Sequence, residues 1–209
     1  MGRMGKKIID STLVKLGSDP QTHHGSLSDP IYKTSTIIFN NYKEFFNAKK
    51  NKFSVPYYGR FGNYTSKRFE KVVCKIYGSE SSVITSSGLS AITISLLTFL
   101  ESGDELLVSE NCYEPVFNFC SNELKKFGVK TNFFKNNKIS LFKKLVNSKT
   151  KVIYLESPGS LNYAVEDIDK IIKIAKANNI TTIIDNTWAT FLGFNPLKWG
   201  IDIAIESCT

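Results

Sequence analysis

The sequence predicts an α/β fold built on a mostly parallel, doubly wound sheet. Two observations carry this. From Lys67 onward, short apolar runs of strand character alternate with segments of helical character. Those runs are apolar nearly throughout, as in strands covered by helices on both faces.

The elements follow in order. Arg68 to Ile76 reads as a helix stopped by Gly78, a natural residue for the position after a helix. Ser82–Thr85 reads as a first short strand, and Gly88–Leu100 as a helix. Glu105–Ser109 is a strand, with a helix from about Glu114 to Phe127 behind it. Val129–Phe134 is a strand, Ile139–Val146 a short helix and Lys151–Leu155 a strand again. The helix Glu166–Asn178 has the clearest pattern. Ile168, Ile171, Ile172 and Ala175 fall on one face, and Glu166 and Asp167 are expected in its first turn, at the positive end of the dipole. Thr181–Ile184 and Ile201–Ile205 are the last strands. Residues 1–60 carry turn signals instead (Ser18-Asp19-Pro20, Ser28-Asp29-Pro30, Asn40-Asn41, Val55-Pro56) and read as an irregular arm. Such an arm packs on the main domain, residues 61–209, or on another subunit.

Composition narrows the class. The 209 residues are 42% hydrophobic and 22% charged, the balance of a globular domain rather than a disordered or fibrous chain. The longest apolar stretch, Leu89–Leu100, is interrupted by hydroxyl side chains and is too short to span a bilayer. The start, MGRMGKKIID, has no apolar segment of a secretory signal and lacks the Ser or Thr of a myristoylation motif. Cys74, Cys112, Cys120 and Cys208 form no C-x-x-C pair, so free thiols in a reducing cytoplasm are expected, without metal. His23 and His24 lie in the arm with no ligand cluster beside them, which favours solvent-facing or structural roles. The net charge of +8 comes from scattered lysines with no run beyond Lys49–Lys52, a solvated surface rather than a nucleic-acid interface.

In open α/β sheets ligands bind outside the carboxyl ends of the strands. There the sequence places Ser86-Ser87-Gly88, Glu156-Ser157-Pro158-Gly159, Asp185-Asn186-Thr187-Trp188 and Glu206-Ser207-Cys208-Thr209. Small hydroxyls, a glycine and a carboxylate on one edge suit a phosphate beside a protonated ring. Ser-Ser-Gly before a helix offers amides to a phosphate, or simply caps the helix. Asp185 is either a buried carboxylate awaiting a cation or a cap for the next turn. Tyr113 is an exposed platform or a core residue.

Taken jointly, DPIYKTST (Asp29–Thr36), YGRFGNYT (Tyr58–Thr65), SSGLSAI (Ser86–Ile92), YEP (Tyr113–Pro115), ESPGS (Glu156–Ser160) and DNTW (Asp185–Trp188) resemble the Cys/Met-metabolism family of pyridoxal-phosphate enzymes. They run in family order along nearly the whole chain. The resemblance implies the aspartate-aminotransferase-like fold type I. Tyr-Glu-Pro, Phe119-Cys120 and Trp188 look like the bacterial cystathionine β-lyase branch.

By that resemblance, Asp185 pairs with the pyridine nitrogen of pyridoxal phosphate and Tyr113 stacks on its ring. Gly88 and Leu89 bring amides to the phosphate, Ser207 and Thr209 hydroxyls. Tyr58 and Arg60 reach the phosphate of a neighbouring subunit, which implies a homodimer or homotetramer. Tyr113 or Tyr58 is the candidate to deprotonate the incoming amine. The implied reaction is β-elimination from L-cystathionine to homocysteine, pyruvate and ammonia, in methionine biosynthesis. Cystathionine γ-synthase or methionine γ-lyase chemistry is the alternative within the family. The Schiff-base lysine is expected directly after Thr209, beyond the last residue, so the 209 residues alone are expected to be inactive. The strand expected after that lysine would lie between Ser82–Thr85 and Ile201–Ile205, leaving the sheet incomplete and the C-terminal domain absent. A non-catalytic truncated remnant is the competing reading.

Overall fold

The computed structural model describes residues 13–135 and 139–209. They form two compact units, one within Met1–Ile84 and one spanning Thr85–Thr209.

The first unit is mostly irregular but carries a helix the pattern did not announce. In the Asn40-Asn41 turn signal, the Asn41 side chain accepts the Glu44 amide at 3.0 Å and starts α1 (Tyr42–Lys50). The second helix, α2 (Tyr64–Tyr77), begins four residues before the expected Arg68 because Asn63 and Ser66 close a reciprocal capping box. It ends as expected at Gly78, whose φ of 69° is left-handed. His23 Nε2 lies 3.7 Å from Asp29, which Arg68 also pairs with, so this histidine ties arm segments together.

Ser82–Thr85 is not a strand. Ser82 Oγ donates to the Glu70 carbonyl at 2.7 Å and the Ile84 amide to Glu70 Oε1 at 3.4 Å, so the segment is tied to α2 and pairs with no strand among the described residues. An apolar run becomes a strand only where a ladder partner is in place.

The second unit is the parallel sheet. Five strands, β1 (Glu105–Ser109), β2 (Lys130–Phe134), β3 (Thr150–Glu156), β4 (Thr181–Asp185) and β5 (Ile203–Ile205), run in the order β2-β1-β3-β4-β5, every pair parallel. One face packs on α3 (Gly88–Phe99) and α4 (Glu114–Lys126), through Leu106, Val108, Val152, Tyr154 and Ile183. The other packs on α5 (Ile139–Leu145) and α6 (Ile168–Ala177), through Leu107, Ile153, Leu155 and Ile184. Two covered faces explain the nearly continuous burial of the inner strands β1, β3 and β4.

Three details depart from expectation. Helix α4 contains a π turn at Phe119–Glu123, where the Leu124 amide reaches back to the Phe119 carbonyl and frees that of Cys120, which accepts Thr131 Oγ1 at 3.0 Å. β5 starts two residues late because Asp202 takes the Thr182 amide (2.8 Å) and hydroxyl (2.7 Å) before the ladder begins. Asp167 is the N-cap of α6, not part of its first turn, and Glu166 precedes the helix altogether. The Glu166 carboxyl is buried, accepting from Ser109 Oγ and, at 3.0 Å, from Asn111 Nδ2. Burial raises its pKa, against those hydrogen bonds.

Candidate active site

The carboxyl ends of β3 and β4 and the starts of α3 and α4 meet at one edge of the sheet. At α3, Ser87 Oγ caps the helix by accepting the Ser90 amide at 3.1 Å. Among the described residues nothing accepts from the Gly88 and Leu89 amides, so both remain available at the positive end of the helix. Gly88 faces Ser207 so closely that a Cβ on it would sit 2.9 Å from Ser207 Cβ. Ser207 Oγ and Thr209 Oγ1 are 3.1 Å apart, and the Ser207 amide donates to Thr187 Oγ1 at 2.9 Å. Two amides and two hydroxyls therefore converge where only glycine fits, a donor set suited to a dianionic phosphate. The Leu89 side chain packs into the core beneath, so only its amide faces outward.

Asp185 ends β4 and is 8% exposed, and its Oδ1 accepts the Thr187 amide at 2.8 Å. It is thus both a buried carboxylate and a turn cap. No ion pair reaches it among the described residues, and burial pushes its pKa up despite the Thr187 hydrogen bonds. Tyr113, at the start of α4, is 46% exposed, a platform rather than a core residue. Its backbone amide donates to Glu156 Oε2 at 2.6 Å. Glu156 ends β3, is 3% exposed and stands in register with Asp185. Burial, and then the charge of Asp185, raise its pKa to about 7. Cys112 and Cys120 lie in the same layer, with thiols that burial pushes up to about 12, so neither is a nucleophile.

Tyr58 and Arg60 lie in the first unit. The turn that bears them is fastened by the Gly59 amide, which donates to the Ser35 carbonyl at 2.7 Å, and by a bridge between Thr36 and Tyr58. The Arg60 guanidinium sits 5.3 Å from the Tyr58 ring centre. Sequence reasoning gave no role to Glu156, although it carries the same signal as Asp185, a carboxylate closing an apolar strand. It named Trp188 but not its partner Tyr163, against which it packs edge to face at 5.1 Å. Tyr163 has a φ of 53°, a left-handed backbone that pattern reading does not foresee for an aromatic residue.

A phosphate cradle at a helix start beside a cation-seeking carboxylate is what a pyridoxal-phosphate site requires. The profile of the Cys/Met metabolism PLP-dependent enzymes matches residues 10–209. The chain belongs to this family. Relatives include an L-alanine/L-glutamate racemase of Wolbachia pipientis, 34% identical over 96% of this chain and 52% of its own length. A cystathionine β-lyase of Escherichia coli is 32% identical over 99% of this chain and 53% of its own. A Campylobacter jejuni protein, provisionally named an O-acetylhomoserine (thiol)-lyase, superposes with a TM-score of 0.86 at 29% identity, over 95% of this chain and 49% of that one. Its structure contains N′-pyridoxyl-lysine-5′-monophosphate. The chain spans about half the length of the curated relatives it matches. The expected fold type and cofactor, fold type I and pyridoxal phosphate, therefore stand. No helix among the described residues is long and apolar enough to cross a membrane.

Proposed function

We propose that the whole protein is a carbon–sulfur lyase cleaving L-cystathionine by β-elimination. Water is consumed, the Cβ–S bond breaks, the sulfur leaves as homocysteine, and the remaining fragment yields pyruvate and ammonia. The observation that supports the cofactor is Asp185, a buried carboxylate with no ion pair among the described residues, at the same sheet edge as the Gly88–Ser207 cradle; the similarity to cystathionine β-lyases supports the substrate.

Bound at this edge, pyridoxal phosphate supplies an electron sink for a carbanion at the substrate Cα. The chain's own residues hold it there. The amides of Gly88 and Leu89 and the hydroxyls of Ser207 and Thr209 take the phosphate. Asp185 keeps a proton on the ring nitrogen, because a carboxylate in a low-dielectric site favours a cationic neighbour. Tyr113 offers its exposed ring as a stacking surface, and Tyr113 or Tyr58 takes a proton from the incoming amine. Tyr58 and Arg60 act in the site of a neighbouring copy, Arg60 through a charge-assisted contact to phosphate. The arm, residues 1–60, then contributes to that subunit interface.

The relatives also include methionine γ-lyases and a racemase, so the assay must separate three outcomes. Full-length protein loaded with pyridoxal phosphate is expected to release pyruvate and homocysteine from L-cystathionine. 2-Oxobutyrate from methionine would move the reading to γ-elimination. Inversion of L-alanine without C–S cleavage would overturn the lyase reading.

A further inference from the structure

Glu156 lies outside every role assigned so far, yet it is a buried carboxylic acid at the site, 3% exposed. It and Asp185 are in-register neighbours at the carboxyl ends of adjacent parallel strands, so both side chains leave the same face of the sheet. That face is the one covered by α3 and α4, as Tyr154 and Ile183 two residues earlier show. Both residues are at least nine-tenths buried, and among the described residues neither has an ion pair. Glu156 holds the one amide that sets where Tyr113 begins α4, and Asp185 holds that of Thr187.

We propose that Glu156 is a positioning residue of the cofactor site, anchoring Tyr113 through its backbone amide and forming with Asp185 a paired-carboxylate seat for a single cationic ring. The assignment rests on the cofactor reading above. Two adjacent buried carboxyls without a cation are stable only if one of them keeps a proton. A pyridinium against Asp185 removes that requirement, and Glu156 then ionises and grips the Tyr113 amide with a charge-assisted bond. Arrival of the ring and fixing of its stacking partner thereby become one event. The titratable groups facing Glu156 are Asp185 from β4, Cys112 from the turn before α4 and Tyr154 from β3 itself; Cys120 of α4 lies in the same layer. Both thiols and the phenol are pushed upward by burial, so below pH 9 only the two carboxyls change charge.

The test is the Tyr113 backbone amide resonance of the full chain, labelled with nitrogen-15 and followed over pH with and without pyridoxamine 5′-phosphate, which carries ring and phosphate but needs no covalent link. In the free chain the resonance is expected to titrate with a midpoint near pH 7. Asp185→Asn should lower that midpoint, and Glu156→Gln, which keeps an acceptor oxygen, should abolish the titration. Pyridoxamine 5′-phosphate should lower the midpoint in the unmutated chain and bind about tenfold more weakly to Glu156→Gln. A purely structural Glu156 would lower the melting temperature of Glu156→Gln and leave the amide titration unmoved by Asp185→Asn, which overturns the proposal. Binding with an unmoved midpoint overturns it while sparing the cofactor reading; no binding at all overturns both.

Discussion

Adding one methyl group to Gly88 is the sharpest probe of the phosphate cradle. In Gly88→Ala the new Cβ would lie 2.9 Å from Ser207 Cβ and 3.2 Å from Ser207 Oγ. Contacts that short do not persist, so Ser207 must retreat by several tenths of an ångström, and its hydroxyl leaves the cradle with it. Helix propensity works the other way: alanine inside a helix is better than glycine by roughly 0.5–1 kcal/mol, so the fold should be little changed. A hydrogen bond to a charged group contributes about 1.5–3 kcal/mol, so affinity for pyridoxamine 5′-phosphate should fall roughly 10- to 100-fold. The assay is quenching of tryptophan fluorescence, with Trp188 three residues beyond Asp185 as reporter. Ser207→Gly alone loses the hydroxyl, but in the double variant it also relieves the clash. The two losses should therefore not add, and the double variant should bind no more weakly than Ser207→Gly. Unchanged binding by Gly88→Ala, or strictly additive losses, would refute the close approach as the basis of the cradle.

Three further outcomes are expected. The folded chain holds the Glu156 proton up to about pH 7 against an ordinary 4.5, so stability is lost as pH rises through that interval. Urea unfolding without cofactor should show a loss of roughly 2–3 kcal/mol between pH 5 and pH 8, largely removed in Glu156→Gln. Phe142 is 1% exposed and meets Phe134 edge to face at 4.8 Å, so Phe142→Ala should cost about 3–5 kcal/mol by the same measurement. Asn63→Ala breaks the capping box of α2 and should cost roughly 0.5–2 kcal/mol, visible as faster amide exchange at Ser66.

Much of the second unit was legible because its signals are local and redundant. Each strand from β1 to β5 carries a short apolar stretch, only Phe133-Phe134 in the edge strand β2, and α6 announces itself through Ile168, Ile171, Ile172 and Ala175, all buried on one side. What could not be read depends on partners far away in the sequence. Ser82–Thr85 has the composition of a strand but no ladder to join, and it binds Glu70 instead. The π turn in α4 exists because Thr131 reaches Cys120 from another element. Glu166 carries the charge that suits the positive end of a helix, but Ser109 and Asn111, some 55 positions earlier, draw it inward. At the site, Asp185 and the Ser-Ser-Gly turn were visible as residue types at strand ends. The Glu156–Asp185 pairing needed the register of β3 against β4, which no single segment encodes.

The order β2-β1-β3-β4-β5 also bears on how the sheet is made. On a chain leaving the ribosome, β2 can pair with β1 as soon as both have emerged, and β3 can then add on the free side of β1. From there β4 joins β3 and β5 joins β4, so the newest strand always adds to the outer edge and none has to insert between two already paired. At a translation speed of roughly 5–20 residues per second, each strand waits about one to ten seconds for its neighbour. Synthesis order thus permits growth by edge addition alone, and the carboxyl ends of β3 and β4, with Glu156 and Asp185, come together only as β4 docks.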